Sequence, residues 1–207
     1  RPVVCLAGGV SLAPFLFFAA SATAAGVDVR IVYGERSGGR VFDPELVHEI
    51  AGVQPELRTE DGSVGLRGLV LDGLDLTDQP QLLACGPAPM LRACAALAED
   101  RGLSLQVSVE EHMGCGYGVC KGCVVPVRDL DSLEGWRNAN SCTEGPVFDA
   151  AAIDWDNFGA HHATGGAAVD DEVLRPFSHL RIEVVLYHPE RRSVSQLLAD
   201  RRSPVGA

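Results

Sequence analysis

Val3-Val4-Cys5-Leu6-Ala7-Gly8-Gly9-Val10-Ser11-Leu12-Ala13-Pro14 changes its chemistry three times within a dozen residues. Val3–Ala7 is apolar without alternation, as in a strand buried on both faces of a parallel sheet. Gly8-Gly9 supply a tight turn. Pro14 then stands at the head of an Ala- and Phe-rich run, where proline is tolerated in the first turn of a helix. The uncharged stretch Val3–Val27 is also long enough to span a bilayer, and Ala20-Ser21-Ala22 and Ala22-Thr23-Ala24 resemble signal-cleavage sites. Gly8-Gly9, Ser11 and Pro14 interrupt that apolar run early. Strand, turn and buried helix (Leu12–Ala25) account for every feature, so no membrane segment is expected.

Outward from this unit the same alternation continues. Val29–Tyr33 reads as a second strand. Asp43 and Pro44 are a helix cap and first-turn residue for a short helix to about Ala51. Glu56–Thr59 is a third, weaker strand, Asp61-Gly62-Ser63 is turn chemistry, and Leu66–Leu74 reads as helical. Gln81–Cys85 is a strand ended by Gly86-Pro87. Pro89–Arg101 is a helix with Leu91, Cys94, Ala95 and Leu97 on one face, and Leu103–Val109 is the last strand. The expectation is an α/β fold, a parallel sheet with helices on both faces over residues 1–109. The turns at Gly8-Gly9 and at Cys85-Gly86-Pro87 each end a strand and precede a helix, the context of a phosphate cradle beside a ligand crevice. The first is not G-x-G-x-x-G, so a plain tight turn stands as its alternative.

Composition narrows the function. The chain has 207 residues, 46% hydrophobic and 22% charged, which is globular rather than disordered. Its net charge of -11 leaves no cationic footprint for nucleic acid. Lys121 is the only lysine, and it lies inside a cysteine cluster. Seven cysteines, an odd number, fit a reducing, cytoplasmic setting better than a disulfide framework.

Cys115, Cys120 and Cys123 are spaced C-x4-C-x2-C with Cys142 downstream, the plant-type spacing of a 2Fe–2S cluster. Two irons bridged by two sulfides need four thiolates. A short loop supplies three of them if it wraps tightly, as Gly114, Gly116, Gly118 and Gly122 allow. A four-cysteine zinc site normally shows two C-x2-C-like knuckles, which fits this spacing poorly. Cys5 and Cys94 read as core thiols.

Taken in order, these motifs carry a resemblance. Gly8-Gly9 with Ala13-Pro14, Asp61-Gly62-Ser63-x-Gly65 and Cys85-Gly86-Pro87-x-Pro89-Met90 resemble the nicotinamide-binding domain of the ferredoxin reductase superfamily. Glu110 to Cys123, with Cys142-x-x-Gly145-Pro146-Val147-Phe148, is similar to one branch of it, the electron-transfer subunits of dihydroorotate dehydrogenase. The resemblance covers residues 3–155. It implies a nicotinamide-binding domain over 1–109, a small Cys-rich 2Fe–2S domain over 110–155, and a linker with an unassigned tail over 156–207. It also implies a hetero-oligomer with an FMN-containing catalytic subunit that oxidises dihydroorotate. Electrons would pass through a 2Fe–2S cluster to FAD and then, as hydride, to NAD. Gly8, Gly9, Ser11, Pro14, Asp61, Cys85, Gly86, Pro87 and Met90 would hold NAD, and Cys115, Cys120, Cys123 and Cys142 the cluster. No residue is required as a general acid or base. Ser11 stands where the family usually has another glycine. The family's antiparallel FAD barrel is not found before Val3, so FAD is expected to be held by residues other than these. A reductase component serving another redox enzyme, or a non-enzymatic protein with a structural four-cysteine metal site, are the competing readings. NAD(H) is expected over NADP(H), because Glu60-Asp61 place a carboxylate where the ribose 2′-hydroxyl would lie. Arg58 is expected to alternate away from that site.

Smaller features have plain explanations. Glu110-Glu111 read as a solvated or partner-facing acidic pair. His161-His162 fall in a Gly/Ala linker, Leu180–Leu186 alternates as a strand, and Arg191-Arg192 and Arg201-Arg202 read as solvated charge.

Overall fold

The computed structural model describes residues 1–159. His161-His162, the Leu180–Leu186 alternation and the two arginine pairs lie outside the described residues. Five strands of the central sheet arise from the alternation in the first part of the chain: β1 (Val3–Gly8), β2 (Val29–Glu35), β3 (Glu56–Thr59), β5 (Gln81–Cys85) and β6 (Leu105–Ser108). They are joined by β4 (Leu66–Arg67) and β9 (Val147–Asp149) in the order β4-β3-β2-β1-β5-β6-β9. All neighbours are parallel except the β6–β9 pair. The strand order reverses between β1 and β5, and at that switch point an open α/β sheet presents its ligand crevice.

Helix α1 (Ala13–Ala24) follows a short 3-10 turn, Gly9–Leu12, and α2 (Pro44–Ala51) is capped by Asp43, whose side chain accepts from the Glu45 amide at 3.0 Å. Both pack on one face of the sheet, where Cys5, Phe15, Leu16, Ile31, Tyr33 and Val47 are buried together. Helix α3 (Ala88–Arg101) covers the other face through Leu91, Cys94 and Ala98. No helix among the described residues is long and apolar enough to cross a membrane.

Two expectations are corrected. Leu66–Leu74 is not helical. Its apolar spacing imitates a helix, but Gly65 and Gly68 take φ values of +67° and +141°, so the chain turns into the short strand β4 and then loops. Residues 129–140 are not all loop either. Strands β7 (Val124–Arg128) and β8 (Trp136–Asn140) form an antiparallel hairpin, although β8 lacks apolar alternation. The hairpin leads into α4 (Ser141–Glu144), and β9 then returns the chain to the edge of β6. Val125, Val127, Ala139 and Ile153 enter the same core as Leu91 and Val107, so the cysteine-rich segment and the sheet are packed together.

Candidate functional site

The carboxyl edge of the sheet brings most of the expected nucleotide residues together. Ala7 pairs in register with Cys85, so Gly8 and Gly86 emerge side by side. A Cβ on either would stand 2.6 Å from Met90 Sδ and 3.5 Å from the other glycine's Cα. A side chain at either position would have to displace the flexible Met90 side chain, which serves as the filler beneath the two turns. Pro87 closes over Gly8 at the head of α3, and Pro14 lies exposed in the first turn of α1.

The turn after Gly9, whose φ is +63°, delivers Ser11 into a buried position. Its Oγ donates to Glu110 Oε1 at 2.6 Å, and Cys85 Sγ lies 3.9 Å from the same oxygen. Burial pushes the Cys85 thiol up, with the Glu110 charge adding to the effect, so Cys85 is a neutral, small side chain at physiological pH. Glu110 is a site residue that the reading of the sequence missed. It directly follows Val109 beyond β6, and any residue just past a parallel strand reaches the same edge as the turns after β1 and β5.

Asp61 is placed apart, on the turn beyond β3. Its Oδ1 accepts the Ser63 amide at 2.9 Å and the Ser63 hydroxyl at 2.6 Å, and these bonds hold its carboxyl below the usual range. Arg58 is buried. It donates to the Asp72 carbonyl and pairs with Glu56, turned away from Thr59 and the edge.

The cysteines gather at the next loop. Gly116 and Gly118 take φ of +75° and +85°, folding the chain so that amides point at sulfur. The Cys120 amide donates to Cys115 Sγ at 3.4 Å, and the Tyr117 and Val119 amides reinforce it. Together they pull the Cys115 thiol down to about 6. The β7–β8 hairpin brings the fourth cysteine in. Val124 pairs with Asn140, and the Ser141 amide donates to the Cys123 carbonyl at 2.7 Å, so Cys142 meets Cys123. The two thiols hydrogen-bond: Cys123 is lowered by the backbone and thiol of Cys142, and Cys142 is raised by Cys123 and by burial. The Gly118 amide also points at Cys142.

The four sulfurs thus form two pairs, Cys115 with Cys120 and Cys123 with Cys142. Two pairs match two irons taking two thiolates each. The donor set therefore fits a 2Fe–2S cluster, with loop amides aimed at its ligands. Cys5 and Cys94 are buried core thiols pushed up to about 12. In cluster-free protein, Cys115 should be alkylated by iodoacetamide with a rate that rises through a midpoint near pH 6. Cys5 and Cys94 should react only after unfolding. Site-resolved mass spectrometry across pH 5–8 checks this, and equal labelling of Cys94 and Cys115 in folded protein would contradict it.

Residues 110–154 match the family described as the iron-sulfur cluster binding domain of dihydroorotate dehydrogenase B. The chain resembles the electron-transfer subunits of that enzyme. It is 33% identical over 160 residues to the probable dihydroorotate dehydrogenase B (NAD(+)), electron transfer subunit, of Archaeoglobus fulgidus, covering 75% of this chain and 62% of the relative. It is 31% identical over 156 residues to the electron transfer subunit of Caldanaerobacter subterraneus, covering 74% and 59%. The chain thus spans about three fifths of the length of these dihydroorotate dehydrogenase B relatives. The solved structure of an NADH-dependent reduced ferredoxin-NADP oxidoreductase superposes with a TM-score of 0.68 at 25% identity, over 85% of this chain and 61% of that one.

Proposed function

We propose that this chain supplies the nicotinamide-binding module (residues 1–109) and the cluster-binding module (residues 110–155) of a cytoplasmic dihydroorotate dehydrogenase electron-transfer subunit. It would work in a hetero-oligomer with an FMN-containing catalytic subunit and with FAD. The observation that carries this reading is the continuity of the two sites. Glu110 touches Ser11 and Cys85 at the nucleotide edge, and the same loop runs directly into the paired thiols.

The chain's own groups divide the work. Gly8 and Gly9 leave the backbone open to a pyrophosphate at the head of the first helix. Glu110 holds the Ser11 hydroxyl proton toward itself, fixing the turn. Cys85, neutral and small, leaves room for a planar ring to stack. Cys115, Cys120, Cys123 and Cys142 would hold the cluster, which when bound carries one electron at a time between flavins. Met113, Tyr117 and Val119 are 50%, 70% and 70% exposed on the loop around these thiols, an apolar rim suited to a partner protein.

Because NADH delivers a hydride and the cluster accepts single electrons, flavin-free protein should show negligible NADH-dependent reduction of ferricyanide. Addition of an FAD-bearing domain should restore it. The decisive assay is dihydroorotate-dependent reduction of NAD+ by the catalytic subunit, the FAD domain and this chain together. Activity that is indifferent to this chain would overturn the proposal. Cluster reduction only by a different dehydrogenase would assign the chain to another redox system.

A further inference from the structure

Ser141, the residue before Cys142, is fully buried, and its hydroxyl has no hydrogen-bond partner. Among the described residues it is the one buried side-chain oxygen or nitrogen left in that state. A hydroxyl taken out of water without a partner costs stability, so an orphan of this kind calls for an acceptor.

Strand register says where that acceptor lies. β7 and β8 pair antiparallel with Val124 opposite Asn140, so one step further Cys123 stands opposite Ser141. The Ser141 amide donates to the Cys123 carbonyl at 2.7 Å, which closes that step. Residues directly opposite in an antiparallel pair share a face, with Cβ atoms about 5 Å apart. A hydroxyl on one and a sulfur on the other are then one rotamer change from a hydrogen bond. Cys123 is only 2% exposed, so water does not compete for its sulfur. In the thiol form that sulfur is already served, because the Cys142 thiol donates to it. Binding a cluster removes both thiol protons and leaves the sulfurs as acceptors only. The donor that Cys142 supplied is then lost, and the Ser141 hydroxyl is placed to replace it.

We propose that the Ser141 hydroxyl donates a hydrogen bond to the sulfur of cluster-bound Cys123 and raises the reduction potential of the cluster. The proposal rests on the cluster reading above. Reduction adds one electron and no proton, and part of the added negative charge falls on the sulfurs. A donor aimed at sulfur is therefore held more strongly in the reduced state and favours it. The loop amides that point at Cys115 and Cys142 belong to the backbone. Ser141 adds a side-chain donor on the buried member of the four ligands, and one substitution deletes it.

The test uses the full chain with its cluster, purified anaerobically. Spectroelectrochemical titration compares the midpoint potentials of wild type, Ser141→Ala and Ser141→Thr, and electron paramagnetic resonance of the reduced proteins verifies the centre in each. Ser141→Ala should shift the reduction equilibrium about tenfold toward the oxidised cluster, a fall of about 59 mV for one electron. Ser141→Thr keeps the hydroxyl and should stay within about twofold of wild type. A serine with a merely structural role would act on stability instead, so thermal unfolding of the cluster-free proteins is the second readout. There the hydroxyl is unpartnered, and Ser141→Ala should melt no lower than wild type. An unchanged potential in Ser141→Ala, or an equal fall in Ser141→Thr, overturns the proposal while leaving the cluster reading intact. So does a cluster-free Ser141→Ala that melts well below wild type. Wild-type protein that takes up no iron and sulfide overturns the cluster reading itself.

Discussion

Cys142→Ser is expected to strip most of the iron and acid-labile sulfide from anaerobically purified protein, whereas Cys94→Ser leaves about two of each per chain. Cys142 completes one of the two thiol pairs, and its position depends on the hairpin that sets Ser141 against the Cys123 carbonyl. Serine preserves the size of the side chain but replaces a soft thiolate with a poor iron ligand. The loss should therefore be one of cluster and not of fold. Cys94 is buried against the sheet in α3, away from the loop, and its raised thiol has no role as a ligand. Metal analysis and the visible absorbance of sulfide-to-iron charge transfer report the outcome directly. Stoichiometric zinc without iron in the wild-type protein would refute the cluster and favour a structural metal.

What could be read from the sequence was whatever is encoded locally. β1 is a parallel strand buried on both faces, so Val3–Ala7 is an unbroken apolar run ending at glycine, and Ile31–Tyr33 of β2 and Leu82–Cys85 of β5 are shorter apolar runs that also end at glycine. α2 carries its own Asp43-Pro44 start signal. The cysteine loop announces itself because its ligand spacing is fixed by the size of the cluster. Features set by pairing between distant segments were not legible. Trp136-Arg137-Asn138-Ala139-Asn140 has no strand pattern and becomes β8 only through main-chain bonds to β7. Leu66, Leu69, Val70 and Leu74 recur at helical spacing, and the positive φ values at Gly65 and Gly68 decide against the helix. Glu110 belongs to the same class: it is an ordinary charged residue until strand register brings it beside the glycine turns.

The same long-range packing leads to the second large effect. Ile153→Ala should destabilise the whole described unit by about 2–4 kcal/mol, lowering the melting temperature by roughly 5–15 °C. Ile153 is fully buried and bridges to Val127 on the cluster hairpin, while the next residue's amide donates to the Pro126 carbonyl at 3.0 Å. The segment that follows is tied to α3, where Arg92 donates to the Phe158 carbonyl at 2.8 Å and Trp155 packs edge-on against Phe158. Ile153 therefore joins the hairpin that presents Cys123 to the helix that forms the second glycine turn. Truncation leaves a cavity shared by both, and neither can relax without moving the other. Leu133→Ala, at a fully exposed position on the hairpin tip, is the matched control and should change stability by less than about 0.5 kcal/mol. Thermal unfolding of the apo-protein should show one cooperative transition that shifts intact in Ile153→Ala. Two separated transitions, with only the cysteine-rich part displaced, would show that the core is not shared.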